Sequence, residues 1–343
     1  MEHITIKEVA KLCGVGVSTV SRAINNHPDI NPETKQKILD AIREYNYVPN
    51  NSARNLKRAD SNTIAVIIKE ISNSYWGVML HVLEREVRDR KYCLVLQNVA
   101  DDEDEVELAL QLEKEKKVKG IMFLGGMFNY DELRLRMLRV PYVISGSGKT
   151  VPEDTGTYPK SALVTTDTEI ESQSMVDYLC SCGHKRIAFI TSGDEGLGRC
   201  HLNGYKRSLE KNGLEYDEKL IIRLKPGKRI YTIENGYNCT CELLKSGVDF
   251  SCIYAISDTL AVGACRAIID SGKRVPEDYC VAGADGQDIA EYYHPSITTL
   301  KYPRVETALQ SVRTLFDLID RKKVVKRQIL SGTLIEREST RKL

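Results

Sequence analysis

From Ser61 onward the chain alternates short β-branched runs with amphipathic helical stretches, and that alternation leaves few folds open. Strands are expected at 64–68, 93–96, 121–124, 142–144, 163–165, 187–190, 253–256 and 280–282. Between several of them the apolar residues recur at helical spacing, over 78–90, 106–117, 172–182 and 260–271. Gly183, Gly213, Gly247 and Gly272 stand where helices stop, since glycine takes the left-handed conformation at no cost. Strand–helix–strand units of this length imply parallel sheets covered on both faces by helices. About 280 residues of such units make either one large nucleotide-binding enzyme or two smaller lobes.

Sequence motifs test the enzyme. Gly148-Lys149-Thr150 resembles the end of a phosphate loop, but Val143 stands where that motif begins with glycine, and Pro152 and Pro159 follow instead of a helix. The stretch from Ser192 to Gly198 is glycine-rich, yet it lacks the dinucleotide spacing and puts Asp194 and Glu195 where a pyrophosphate would sit. No G-x-S-x-G or H-E-x-x-H occurs. Catalysis is therefore not expected, nor is any cofactor.

The first sixty residues follow a different rule. Thr5-Ile6-Lys7-Glu8 fits a capping box, and Ile6, Val9, Ala10 and Cys13 share one helix face behind it. Gly14 ends that helix, and Gly16 opens a second with Val20, Ala23 and Ile24 inward. Asn31-Pro32-Glu33 starts a third, with Ile38, Ala41, Ile42 and Tyr45 as its stripe. Two short helices joined by a tight glycine turn and braced by a third describe a helix-turn-helix. Val17, Ser18, Ser21 and Arg22 would face outward from the second helix, a set suited to a DNA major groove. A small helical cap for protein contacts has the same pattern. Charge does not decide, since residues 1–60 hold nine Lys/Arg against seven Asp/Glu.

The run from Thr5 through Gly14-Val15-Gly16-Val17-Ser18-Thr19-Val20-Ser21-Arg22, then Asn25, 42–47 and Pro49-Asn50, closely resembles the headpiece of the lactose- and galactose-repressor (LacI/GalR) family of bacterial transcription regulators. That resemblance implies that Val17, Ser18 and Arg22 read bases, while Thr5, Thr19, Ser21 and Asn25 hold phosphates. It makes 50–57 a hinge helix in which Asn50, Ala53 and Leu56 meet DNA and Leu56 wedges the minor groove. Eight residues are too few for a stable isolated helix, so the hinge is expected to form only on DNA. Gly16 departs from the family, which usually has serine there.

The resemblance extends over 64–76, Gly183-His184-Lys185-Arg186 onward, and Ile297-Thr298-Thr299-Leu300. It implies a headpiece at 1–49, a hinge and linker at 50–60, and a periplasmic-binding-protein-like sensor of two lobes at 61–343. The first lobe is expected at about 61–160 and 290–320, the second at about 163–286 and 323–343, with chain crossings near 160–163, 285–295 and 319–326. Ligands of open parallel sheets bind at the carboxyl ends of the strands. There the resemblance assigns Tyr75, Trp76, Gly146, Arg199, His201, Tyr231, Ser257, Asp285 and Tyr302 to a small-molecule effector, a sugar or related metabolite. Each aromatic among them is equally readable as lobe core. His201 stands where the family commonly has arginine, which suggests a different ligand and an affinity that varies near pH 6–7. Gly146 replaces a frequently polar residue.

The expected partners are a pseudo-palindromic DNA operator, the effector, and a second copy meeting this one along a helix near 74–90. The tail from Ser331 shows no leucine heptads that would argue for a tetramer. Ten cysteines are too sparse for a disulfide framework. The pairs Cys180/Cys182 and Cys239/Cys241 lack the spacing of a structural zinc site, so no metal is expected. No apolar run approaches membrane-spanning length, and Glu2, His3, Lys7, Glu8 and Lys11 break any signal-peptide core, so the protein is expected in the cytoplasm.

Overall fold

A computed structural model describes residues 4–24, 26–45, 47, 62–69, 71, 73–100, 103–125, 132–147, 160–224 and 230–343. The chain divides into two compact units, 1–61 and 62–343.

In the first unit, helices α1 (Ile6–Cys13), α2 (Val17–Ile24) and α3 (Pro32–Glu44) enclose Val9, Ala10, Cys13, Val20, Ala23, Ile38 and Tyr47. The capping box is formed: the Thr5 amide donates to Glu8 Oε2 at 2.6 Å, and the Glu8 amide donates to Thr5 Oγ1 at 3.4 Å. Gly14 ends α1 at φ 67°, a conformation that would strain a residue with a Cβ. Asn31 caps α3 by accepting the Glu33 amide at 2.9 Å, with Pro32 in the first turn. One inward residue differs from expectation. Tyr45 is exposed, and Tyr47 takes its place in the core because α3 ends at Glu44 and the chain turns back. The hinge stretch 50–57, with Asn50, Ala53 and Leu56, and also Asn25, lie outside the described residues.

The second unit holds two six-stranded sheets. Its elements run β1 (Thr63–Lys69), α4 (Tyr75–Asp89), β2 (Cys93–Val99), α5 (Glu105–Lys116), β3 (Gly120–Leu124), α6 (Glu132–Leu135), β4 (Tyr142–Ser147), β5 (Ser161–Thr166), α7 (Thr168–Ser181), β6 (Ile187–Thr191), α8 (Gly196–Lys211), β7 (Ile221–Arg223), α9 (Ile233–Lys245), β8 (Cys252–Ala255), α10 (Asp258–Asp270), β9 (Cys280–Asp285), α11 (Asp288–Tyr292), β10 (Thr298–Lys301), α12 (Arg304–Ile319), β11 (Arg327–Leu330) and β12 (Thr333–Ile335). The first sheet has the order β11-β5-β4-β3-β1-β2, all parallel. The second has the order β12-β10-β9-β8-β6-β7, with only β12 antiparallel. Central strands such as β3 and β6 are buried throughout, as expected where helices cover both faces.

All three crossings fall later than the sequence placed them. Strand β5 hydrogen-bonds to β4 and β11, so the chain leaves the first lobe after Thr166. Strand β10 lies between β9 and β12 in the second sheet, whereas α12 packs on β3, β4 and β5, which puts the second crossing at 302–303. Strands β11 and β12 belong to different sheets, so the third is at 331–332. A β-branched run is equally strand-like in either sheet, and only its pairing decides. The crossings meet: the Gly332 amide donates to Glu171 Oε1 at 2.6 Å, and a Cβ on Gly332 would lie 3.2 Å from the Lys301 carbonyl oxygen.

Candidate functional sites: a headpiece face and an interlobe cleft

On the headpiece, Val17, Ser18 and Arg22 are exposed along α2, and Thr19 and Ser21 are half-buried beside them. The exposed Thr5 hydroxyl donates to Glu8 Oε2 at 2.8 Å, so contact with a phosphate would share it with the cap. Arg22 is held from the loop beyond α2. Asn26 takes φ 55°, and the His27 amide then donates to the Arg22 carbonyl at 3.0 Å, folding the loop back along the helix. Asp29 Oδ2 accepts from Arg22 Nη2 at 2.9 Å, and its Oδ1 lies 2.6 Å from His27 Nδ1. Loss of water works against ionisation, but the His27 hydrogen bond and the Arg22 and His27 charges together outweigh it and hold the Asp29 carboxyl below its usual range. No periodicity marks Asp29 or His27, because loop residues obey none.

In the second unit the switch points of strand order lie between β3 and β1 and between β8 and β6. Ligand crevices form outside the carboxyl ends at such points. Tyr75 and Trp76 occupy the first turn of α4, both buried with their rings edge to face at 4.7 Å. Tyr75 also meets Tyr302 edge to face at 6.2 Å, with the Arg304 guanidinium 5.6 Å over its ring. Burial pushes the Tyr302 hydroxyl up, and the neighbouring Tyr254, Asp285, Glu171 and Tyr75 add to it.

Around these rings runs a network of buried acids. Asp285 leaves β9 at φ 104°, a strained backbone for a residue other than glycine. Its Oδ2 accepts from Gln287 Nε2 at 2.9 Å. Asp258 accepts the Gln287 amide at 2.7 Å and the Thr299 hydroxyl at 2.5 Å. Burial raises both carboxyls above the usual range. The Asp258 charge adds to the effect at Asp285, while Thr299, the Gln287 amide, Arg337 and Arg304 oppose it at Asp258. Gln287 Oε1 accepts from Ser74 Oγ at 2.5 Å, which joins the second lobe to the cap of α4 in the first. Glu171, at the first crossing, is likewise raised by burial against the Gly332 amide. Glu171, Tyr254, Gln287 and Arg304 were not among the expected ligand contacts. Their signal is tertiary, a buried charge or hydroxyl at a strand or helix end.

The other assigned residues are distributed unevenly. Ser257 is buried as the cap of α10, its Oγ accepting the Leu260 amide at 3.3 Å. Tyr231 is half-buried, and its carbonyl accepts from Thr259 Oγ1 at 3.1 Å. Arg199 is exposed and donates to the Asp194 carbonyl at 2.9 Å. Gly146 has φ 147°, and a Cβ there would lie 2.9 Å from the Gly125 carbonyl oxygen, so backbone packing accounts for the missing side chain. His201 is buried, with Nδ1 unpartnered, and burial alone pushes its pKa down to about 3. The ring is therefore neutral at pH 6–7, and the expected pH response is not carried by it. Further buried hydroxyls without a hydrogen-bond partner, those of Thr166, Thr168, Thr191 and Tyr302, stand at the ends of β5, β6 and β10 and the start of α7.

All ten cysteines are free thiols. No cluster of His, Cys, Asp or Glu suited to a metal ion, and no helix long and apolar enough to cross a membrane, occurs among the described residues.

Comparison with known proteins places both units in known domain types. Residues 5–50 match the model of the bacterial regulatory proteins of the lacI family, and residues 176–340 match a periplasmic binding protein-like domain. The chain is 37% identical to the HTH-type transcriptional regulator MalR of Clostridium butyricum, over 98% of this chain and 99% of that one. It is 32% identical to the regulator NtdR of the NTD biosynthesis operon in Bacillus subtilis (strain 168), over 98% and 99%. Its fold is similar to a lac repressor dimer bound to operator and an anti-inducer, with TM-score 0.79 and 24% identity over 98% and 99%. It is also similar to a complex of the transcriptional regulator CelR with cellobiose, with TM-score 0.69 and 29% identity over 98% and 100%. A helix-turn-helix headpiece, a two-lobed sensor and relatives matched from end to end make this chain a member of the LacI family of DNA-binding transcriptional regulators.

Proposed function

We propose that this chain is a cytoplasmic repressor that binds a pseudo-palindromic operator as a homodimer, its DNA affinity set by a small neutral polyhydroxylated molecule between the sensor lobes. We read no catalytic role in it. The observation that carries the effector is the acid network joined across the lobes, in which Ser74 meets Gln287 and Gln287 meets both Asp258 and Asp285. Buried carboxyls, tyrosine hydroxyls and unpartnered threonines suit a ligand that brings many hydroxyl donors. Two arginines nearby are anchored on backbone oxygens, Arg304 donating to the Gly286 carbonyl at 2.8 Å and Arg337 to the Ile297 carbonyl at 2.9 Å, and the buried acids welcome a hydroxyl donor more than an anion. The cellobiose held by one structural relative is of the same chemical class.

For DNA, we assign base reading to Val17, Ser18 and Arg22, phosphate contacts to Thr5, Thr19, Ser21 and Asn25, hinge contacts to Asn50, Ala53 and Leu56, and the minor-groove wedge to Leu56. For the effector we retain Tyr75, Trp76, His201, Tyr231, Ser257, Asp285 and Tyr302, with Arg199 at the rim and Gly146 as backbone. Trp76 is the only tryptophan and lies against Tyr75. Titrating its fluorescence with neutral mono- and disaccharides and with their phosphates tests the cleft. Saturable quenching or enhancement by a neutral sugar, weaker with the phosphate, is expected. Saturation by sugar phosphates alone would reject the neutral-ligand reading.

A further inference from the structure

We infer that Asp29, braced by His27, is a positioning residue that aims Arg22 and sets how strictly this headpiece discriminates between bases. The inference rests on the proposal that Arg22 reads a base, and deepens it. A free arginine on a helix surface samples many rotamers and is drawn to any phosphate. Here one nitrogen of the fork is tied to Asp29 Oδ2 at 2.9 Å, and the other carboxylate oxygen is tied to the His27 ring at 2.6 Å. Both donors therefore hold one carboxylate between them, and its loop is fastened to α2 by the His27 amide on the Arg22 carbonyl.

The arrangement does little for folding. Arg22 and Asp29 are 55% and 48% exposed, and ion pairs so wet contribute little stability. Its effect belongs to the groove. Once DNA excludes water the pair strengthens, and the remaining guanidinium nitrogens are left pointing in one direction. Guanine offers two acceptors to a fork so held, and other bases do not. The carboxylate also offsets the arginine charge, which weakens its attraction to phosphates of any sequence. Asp29 thereby converts a sequence-blind cation into a directional donor.

The experiment uses the full-length protein and a site enriched from a random DNA pool, together with variants of that site at each base pair. Asp29→Asn, Asp29→Ala, His27→Ala and Arg22→Ala are compared at several salt concentrations. Asp29→Asn should melt at the same temperature as the parent. Its discrimination at one base position per half-site should fall about three- to tenfold, part of the roughly 5- to 150-fold that a good bidentate contact supplies. Its affinity for unrelated DNA should rise, with a log–log salt slope steeper by about 0.9 for each arginine released to a phosphate. His27→Ala should show a smaller change of the same kind. If Asp29→Asn and Asp29→Ala keep full discrimination while Arg22→Ala loses it, the positioning role is overturned and base reading by Arg22 stands. If Arg22→Ala also keeps discrimination, the reading beneath the inference fails with it.

Discussion

Asp285 concentrates several costs on one residue. Its backbone is strained, its carboxyl is raised by loss of water although the residue as a whole is half-buried, and Asp258 stands close enough to raise it further. Burial keeps these two acids protonated above the value of about 3.9 at which an unfolded aspartate releases its proton. In that window the folded state binds more protons than the unfolded one, so stability falls as pH rises through it. Asp285→Asn should flatten that fall and raise Tm at pH 7 by about 2 °C or more, while abolishing the sugar response. Differential scanning calorimetry at several pH values, paired with the fluorescence titration, measures both. A lower Tm with ligand affinity intact would reject this account of Asp285. His201 behaves differently. Its neutral ring at pH 6–7 predicts that His201→Gln leaves the shape of the ligand-affinity pH profile unchanged between pH 6 and 7.5. A parent profile with an inflection lost in His201→Gln would contradict this.

At the scale of elements, the strands that announce themselves are those buried on both faces. Strands β1, β3 and β6 are runs of apolar residues because helices cover both of their sides. The short edge strands β7, β11 and β12 were not legible. They are three or four residues long, and Arg223, Arg327 and Gln328 belong to them as naturally as to a loop. The headpiece helices were legible through their caps, because Thr5, Gly14 and Asn31 satisfy backbone groups within a few residues of themselves. The crossings were not, because pairing partners lie far away in sequence. The same holds for the candidate ligand site. Asp285 was found by its strand end, whereas Gln287 and Glu171 matter through contacts with Ser74 and Gly332, more than 150 residues distant.

Strand β2 is the open edge of the first sheet, with Leu96 38% exposed and Leu94 and Val95 half-buried. Val78 on α4 is 39% exposed. An apolar edge left open invites another chain, and the homodimer would cover it. Leu96→Arg, alone or with Val78→Arg, should therefore shift the protein to monomer in multi-angle light scattering without changing its circular dichroism. A dimer unaffected by both would place the interface elsewhere.

For the whole molecule, the three crossings meet at Gly332, Glu171 and Lys301, and the acid network joins the lobes beside them. A ligand seated there touches both lobes, so it can favour one relative arrangement over another only by differential contacts. Couplings of this kind change affinity about 5- to 150-fold. The most direct measurement is operator affinity by fluorescence anisotropy at fixed salt, with and without the sugar that saturates Trp76. We predict a change within that range for the parent protein, and for Asp285→Asn the same affinity as the ligand-free parent with no response to sugar. An operator affinity unaltered by a saturating ligand would contradict the central claim that the two functions of this chain are coupled.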